Sequence, residues 1–87
     1  MTYVDAQKIA TNRRKELIDA INNGEPLSQI NYKRGRYIAS MQNVIRAAQR
    51  EGISHVRESY VLEAQLKTHG TNIQRAIDNN KKNNILW

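Results

Sequence analysis

At 87 residues and 10.1 kDa the chain is one small domain, residues 1–87, with a limited interior. It has no Cys, no Phe and one Trp, which excludes disulfides, thiolate zinc sites and an aromatic-rich core. A net charge of +6 makes polyanions the natural partners: nucleic acid, an acidic protein face or anionic lipid.

Apolar residues recur at three- and four-residue steps, and no stretch alternates with period two. This predicts an all-α fold, a small bundle of three to four helices with short loops. The first helix is expected from about Tyr3 to Asn22. Thr2 is suited to cap it, and Asp5 places a carboxylate in its first turn. Ala6, Ile9, Ala10, Leu17, Ala20 and Ile21 form its apolar stripe, and Arg13 falls inside that stripe. Asn23-Gly24 followed by Pro26 ends it. Leu27 and Ile30 are expected to tether a short connection.

A second helix is expected over Lys33–Glu51. Tyr37, Ile38, Met41, Val44, Ile45 and Ala48 give it an apolar face. Gly52 stands past its end, with Ile53 as the hydrophobic contact beyond. Ser54 is then expected to cap a third helix, His55–Thr68. Val56, Tyr60, Val61, Leu62, Ala64 and Leu66 surround most of that helix. Such girth implies either a central place in the core or burial against another subunit, so a homo-oligomer is expected. After Gly70, Thr71 and Gln74 form a capping-box pattern that opens a fourth helix, with Ile73, Ala76 and Ile77 facing inward. The run Asp78–Asn84 weakens helix propensity. Ile85, Leu86 and Trp87 form a terminal apolar triplet. Together with Tyr60, Leu62 and Leu66 they make a candidate partner interface.

No segment has the length or apolarity of a membrane span or signal peptide, so a cytoplasmic protein is expected. No zinc-protease, phosphate-loop or dinucleotide motif occurs. His55 and His69 would lie about 21 Å apart along one helix, too far to share a metal. The carboxylates all have helical charge roles open to them. The reading expects no enzyme activity, no metal and no cofactor.

The positive charge is concentrated. Residues 31–52 hold five cations (Lys33, Arg34, Arg36, Arg46, Arg50) against one anion, Glu51. On a helical wheel Lys33, Arg36, Asn43, Arg46 and Arg50 form one stripe roughly 25 Å long. A length of that order spans several phosphates of a duplex. Arg34 falls on the apolar side, so it is expected to precede the helix proper or to snorkel. Like charges four residues apart repel, so a same-sign stripe is better explained by a partner than by solvation alone. The apolar face of this helix lacks the bulky aromatics of a membrane-surface helix.

Residues 45–66 also have the outline of a helix-turn-helix corner: Ala48, Gly52, Ile53 and Ser54 stand where that motif wants a small residue, a turn glycine, an apolar residue and a cap. Glu58 stands where a recognition helix buries an aliphatic residue. In this reading Arg57, with its neighbours His55 and Ser59, faces the major groove.

Ten Asn residues in a Lys-rich chain fit an AT-rich genome, phage genomes included. The leading expectation is a small basic DNA-binding accessory or regulatory protein of phage or plasmid type. Lys33, Arg34, Arg36, Asn43, Arg46, Arg50 and Arg57 are its nucleic-acid-binding residues. The rival is a protein-interaction module that docks an acidic face of a host or virion protein. A small anionic ligand such as a nucleotide is a third candidate partner.

Overall fold

A computed structural model describes residues 1–70 and 72–86. It contains four helices and, among the described residues, no strand: α1 Tyr3–Asn22, α2 Leu27–Glu51, α3 Val56–Thr68 and α4 Ile73–Asn83. The all-α expectation is met.

α1 begins and ends where expected. The Thr2 side chain accepts from the Asp5 amide at 3.2 Å, and Asn23 closes the helix. Ala6, Ala10, Leu17 and Ala20 are buried on one face. Ile9 is exposed and Ile21 half-buried, so the stripe is narrower than its apolar residues. Arg13 escapes the core by lying along the surface to Glu16 at 3.1 Å. Small buried residues on both helices, Ala6, Ala10 and Ala20 on α1 and Ala47 and Ala48 on α2, allow the two to pack closely. The two are antiparallel: Glu51 accepts from the Tyr3 amide at 2.6 Å, and Lys33 reaches Glu25 at 2.9 Å.

α2 is six residues longer at its start than expected. Pro26 stops α1 and also opens α2, because its carbonyl accepts from the amides of Gln29 and Ile30 at 2.9 and 3.1 Å. Proline has no amide to leave unpaired at that position. Leu27–Asn31 is therefore helix, and Ile30 is buried. The consequence for charge is direct: Lys33, Arg34 and Arg36 sit in the second and third turns, past the reach of the N-terminal dipole.

Gly52, at φ 68°, ends α2, and the Ile53 amide bonds back to the Ala48 carbonyl at 2.8 Å. The residue that bonds back five positions needs a left-handed residue before it, which glycine supplies without Cβ strain. Ser54 does not cap α3. The cap position is His55, which makes no side-chain cap bond; its Nδ1 lies 3.2 Å from the Ile53 carbonyl.

α3 is not central. Val61 and Gln65 are its buried residues, while Val56 is 78% and Tyr60 57% exposed. Thr71 lies outside the described residues, so the expected capping box is not seen whole. The cap position of α4 is Asn72, whose side chain accepts from the Arg75 amide at 3.1 Å, and Gln74 turns instead to Asp78 at 3.2 Å. α4 continues through the Asn-Lys run to Asn83, because Ile77 and Asn80 bury one face of it. Asn84, left-handed at φ 52°, turns the chain back, and the Ile85 amide bonds to the Asn80 carbonyl at 3.0 Å. That turn delivers Leu86 into the core, 2% exposed beside Leu17, Val44, Val61 and Ile77 in one buried cluster.

Candidate polyanion-binding face

The exposed side of α2 is built by its own periodicity. Its buried residues, Ile30, Arg34, Tyr37, Met41, Val44 and Ala48, fix the helix rotation. The opposite side then carries Tyr32, Arg36, Ala39, Asn43, Arg46 and Arg50. From Tyr32 to Arg50 this face spans about 27 Å at the helix rise. The stripe expected from the sequence is thus partly present, and its members differ in what surrounds them.

Arg46 is exposed and has no ion-pair or hydrogen-bond partner among the described residues. Arg50 is exposed and donates to the Met1 carbonyl at 2.5 Å, a contact that leaves its charge uncompensated. Arg36 is half-exposed, lies 5.9 Å from the centre of the Tyr32 ring and approaches Glu16 at 3.7 Å. Lys33 is half-buried and bonded to both oxygens of Glu25 at 2.9 and 3.1 Å. Asn43 is exposed between Arg36 and Arg46.

Arg34 is a correction. It lies within α2, 2% exposed, and does not reach the surface. Its Nε donates to Gln65 Oε1 at 2.8 Å, Nη2 to the Gln65 carbonyl at 2.9 Å and to Thr68 Oγ1, and Nη1 to the Thr68 carbonyl at 3.3 Å. Gln65 in turn donates to Asn80 Oδ1 at 2.9 Å. The chain of bonds ties α2, α3 and α4 together. Burial pushes the guanidinium pKa down from its ordinary value, yet that value is so high that the group stays charged. No carboxylate pairs with it among the described residues. The fork of five donors satisfies this site through neutral acceptors. A residue so enclosed does not touch a polyanion.

Arg57 is separated from the stripe. It borders a trough between α1 and α3 whose base is the buried face of α2, with Lys8 and Arg14 from α1 along the same trough. Met41 in that base and Arg50 on the stripe are about 180° apart around α2. Sequence reasoning gave Arg57 a base-reading role alongside the α2 stripe and passed over Lys8 and Arg14. The available signal was the spacing Val4, Lys8, Thr11, Arg14, a helical line running beside the apolar stripe of α1.

The candidate partner interface also divides. Tyr60 and Leu66 are exposed, Leu62 and Ile85 are half-buried against the core, and Trp87 lies outside the described residues. Leu86 is a correction: it is interior and presents nothing to a partner. Among the described residues no group of three or more His, Asp or Glu could hold a metal ion, and no helix is long and apolar enough to cross a membrane.

No family model matches the chain, and neither a curated protein nor a solved structure matches it.

Proposed function

We propose that the protein binds a nucleic acid, DNA first, through the outer face of α2, as an accessory or regulatory protein of the phage or plasmid kind. The observation that supports this is the exposed run Asn43, Arg46 and Arg50, continued by the half-exposed Arg36, with no carboxylate on its own line. Arg46 and Arg50 are one turn apart on the same face and repel each other until an anion lies between them. Phosphates spaced along a backbone relieve that repulsion and release counterions. Asn43, flanked by arginines, is the residue of this face suited to hydrogen-bond a sugar or base edge. Arg57 takes no part in this mode, because α2 stands between it and the stripe, and the helix-turn-helix reading loses its recognition residue.

Three arginine–phosphate contacts imply a slope of about −2.7 in log K against log salt, or roughly a 40-fold loss between about 50 and 200 mM salt. A gel-shift titration with duplex and single-stranded DNA tests this. Absence of binding to both at low salt, or binding indifferent to salt, rejects the reading.

A second reading rests on α3. Val56, Tyr60 and Leu66 are large, apolar and exposed on a helix of 13 residues. These residues support a protein contact, either with a second copy of this chain or with another protein. Light scattering reports the first. Capture of a stoichiometric partner from nuclease-treated lysate, lost on Tyr60→Asp, reports the second and would put protein binding ahead of DNA binding.

A further inference from the structure

The trough between α1 and α3 is a second surface with its own chemistry. α1 and α3 both pack on α2 and hardly on each other, so a cavity of about 700 Å³ opens between them. This lies within the size range of small-molecule sites, about 300–1,000 Å³. Its base is apolar: Ala10, Tyr37, Met41, Val44 and Val61, with Ile85 at the edge. Val4 stands 56% exposed at one end, an apolar side chain with no cover. The walls carry three cations, Lys8, Arg14 and Arg57, and one anion, Glu58.

The charges are arranged unevenly. Glu58 is engaged: its Oε1 accepts from the Tyr3 hydroxyl at 3.2 Å, at the α1 N-terminal end of the trough. Arg14 lies about 15 Å further along α1 than Val4. Arg14 and Arg57 both act on the Tyr37 hydroxyl at the base: burial pushes its pKa up, and the two guanidinium charges pull against that rise. Neither guanidinium has an ion-pair or hydrogen-bond partner among the described residues. Two cations without a partner among the described residues, lining one trough above an apolar base, match an anion that carries an apolar body. Gln7, Thr11 and Asn12 add uncharged hydrogen-bonding groups on the α1 wall.

We propose that this trough binds a small phosphate monoester with an aromatic or aliphatic body, its dianionic head between Arg14 and Arg57 and its body on the apolar base. The lining has a net charge of +2, three cations less Glu58, which a phosphate dianion balances. The site is independent of the nucleic-acid face, because the stripe and the trough lie on opposite sides of α2.

The test is an amide-resolved NMR titration of the full chain with phenyl phosphate, with adenosine monophosphate, and with inorganic phosphate as the control lacking a body. The expected result is saturable shifts at Lys8, Thr11, Arg14, Arg57 and Val61 with the two esters, at least tenfold tighter than inorganic phosphate. The double variant Arg14→Gln/Arg57→Gln should weaken ester binding at least tenfold while its circular dichroism stays that of the parent. Arg46→Gln/Arg50→Gln should leave ester binding unchanged, and its own loss of DNA binding is read separately. No saturable shift, shifts confined to the Arg46–Arg50 face, inorganic phosphate binding as tightly as the esters, or indifference to the Arg14/Arg57 double variant would each overturn the proposal.

Discussion

The two halves of α2 carry similar charges and use them in opposite ways. In the first half Lys33, Arg34 and Arg36 meet Glu25, the Gln65–Thr68 acceptors, and Glu16 with Tyr32. In the second half Arg46 faces solvent without a partner among the described residues, and Arg50 meets a neutral carbonyl. The difference arises outside α2. α1 is antiparallel, so the carboxylates of its C-terminal half, Glu16 and Asp19, and the turn residue Glu25 lie beside the first half of α2. The second half lies beside the start of α1, where Glu51 is occupied by the Tyr3 amide. A run of cations in a sequence therefore does not locate the positive surface; the charges that neighbouring helices bring against it do.

The sharpest way to break this comparison is to exchange the fates of two arginines. Arg34→Ala removes the four bonds that tie α2 to Gln65 and Thr68 and empties the space of a buried guanidinium. A loss of about 2–4 kcal/mol in urea unfolding is expected. Arg34→Lys restores charge without the fork and should recover only part of it. Neither variant should alter the salt slope of DNA binding while folded. If Arg34→Ala unfolds at the parent's midpoint, the network does not hold the helices.

Charge reversal in the second half should do the converse. Arg46→Glu/Arg50→Glu is expected to weaken DNA binding by at least about 30-fold at low salt and to flatten the slope by about 1.8. Its stability should change by no more than about 0.5 kcal/mol, since both side chains are on the surface. Equal binding by parent and variant would move the nucleic-acid face elsewhere.

Gly35 sits between the two arginines of the first half, inside a helix, where glycine costs about 0.5–1 kcal/mol relative to alanine. A Cβ there would meet the His69 ring at 3.4 Å, an ordinary contact. Gly35→Ala should raise the unfolding midpoint, by up to about 1 kcal/mol, and Gly35→Leu should lower it because the imidazole stands in its way. A drop in stability for the alanine variant would show that the helix needs closer packing against His69 than this spacing implies. The smallest effect is expected from Glu25→Gln. It releases Lys33 from a partly exposed pair that contributes about 0–1 kcal/mol. DNA affinity should rise by a factor of about two to three as Lys33 joins the stripe; a fall would mean that the pair orients α2.

Much of the fold was legible because it rests on local signals. Thr2, Asn23, Gly52 and Gly70 mark helix ends by backbone chemistry that needs no tertiary context. Pro26 misled because one residue served two helices, and the start of α2 moved by six positions. Ser54 misled because a residue suited to a cap need not lie at one. The site was legible as a periodicity: Arg36, Asn43, Arg46 and Arg50 share a face in any helix of that span. The fate of Arg34 was only half legible. Its angle placed it on the apolar side, but Gln65 and Asn80, far along the chain, decide that it is enclosed rather than turned outward. The trough was not legible, since it exists through the spacing of α1 from α3 on a shared support.

The clasp at the start of the chain has a practical side. The Met1 carbonyl and the Tyr3 amide are bonded to Arg50 and Glu51, neighbours at the end of α2. Whatever is fused ahead of Met1 therefore emerges beside Arg50, and a purification tag placed there would crowd the very arginine whose affinity is to be measured. A histidine tag would add its own titrating charge to the stripe and counterfeit a pH dependence. Binding assays should use protein from which such an extension has been cleaved, and the difference between tagged and cleaved protein becomes a ruler for how near Arg50 the nucleic acid lies.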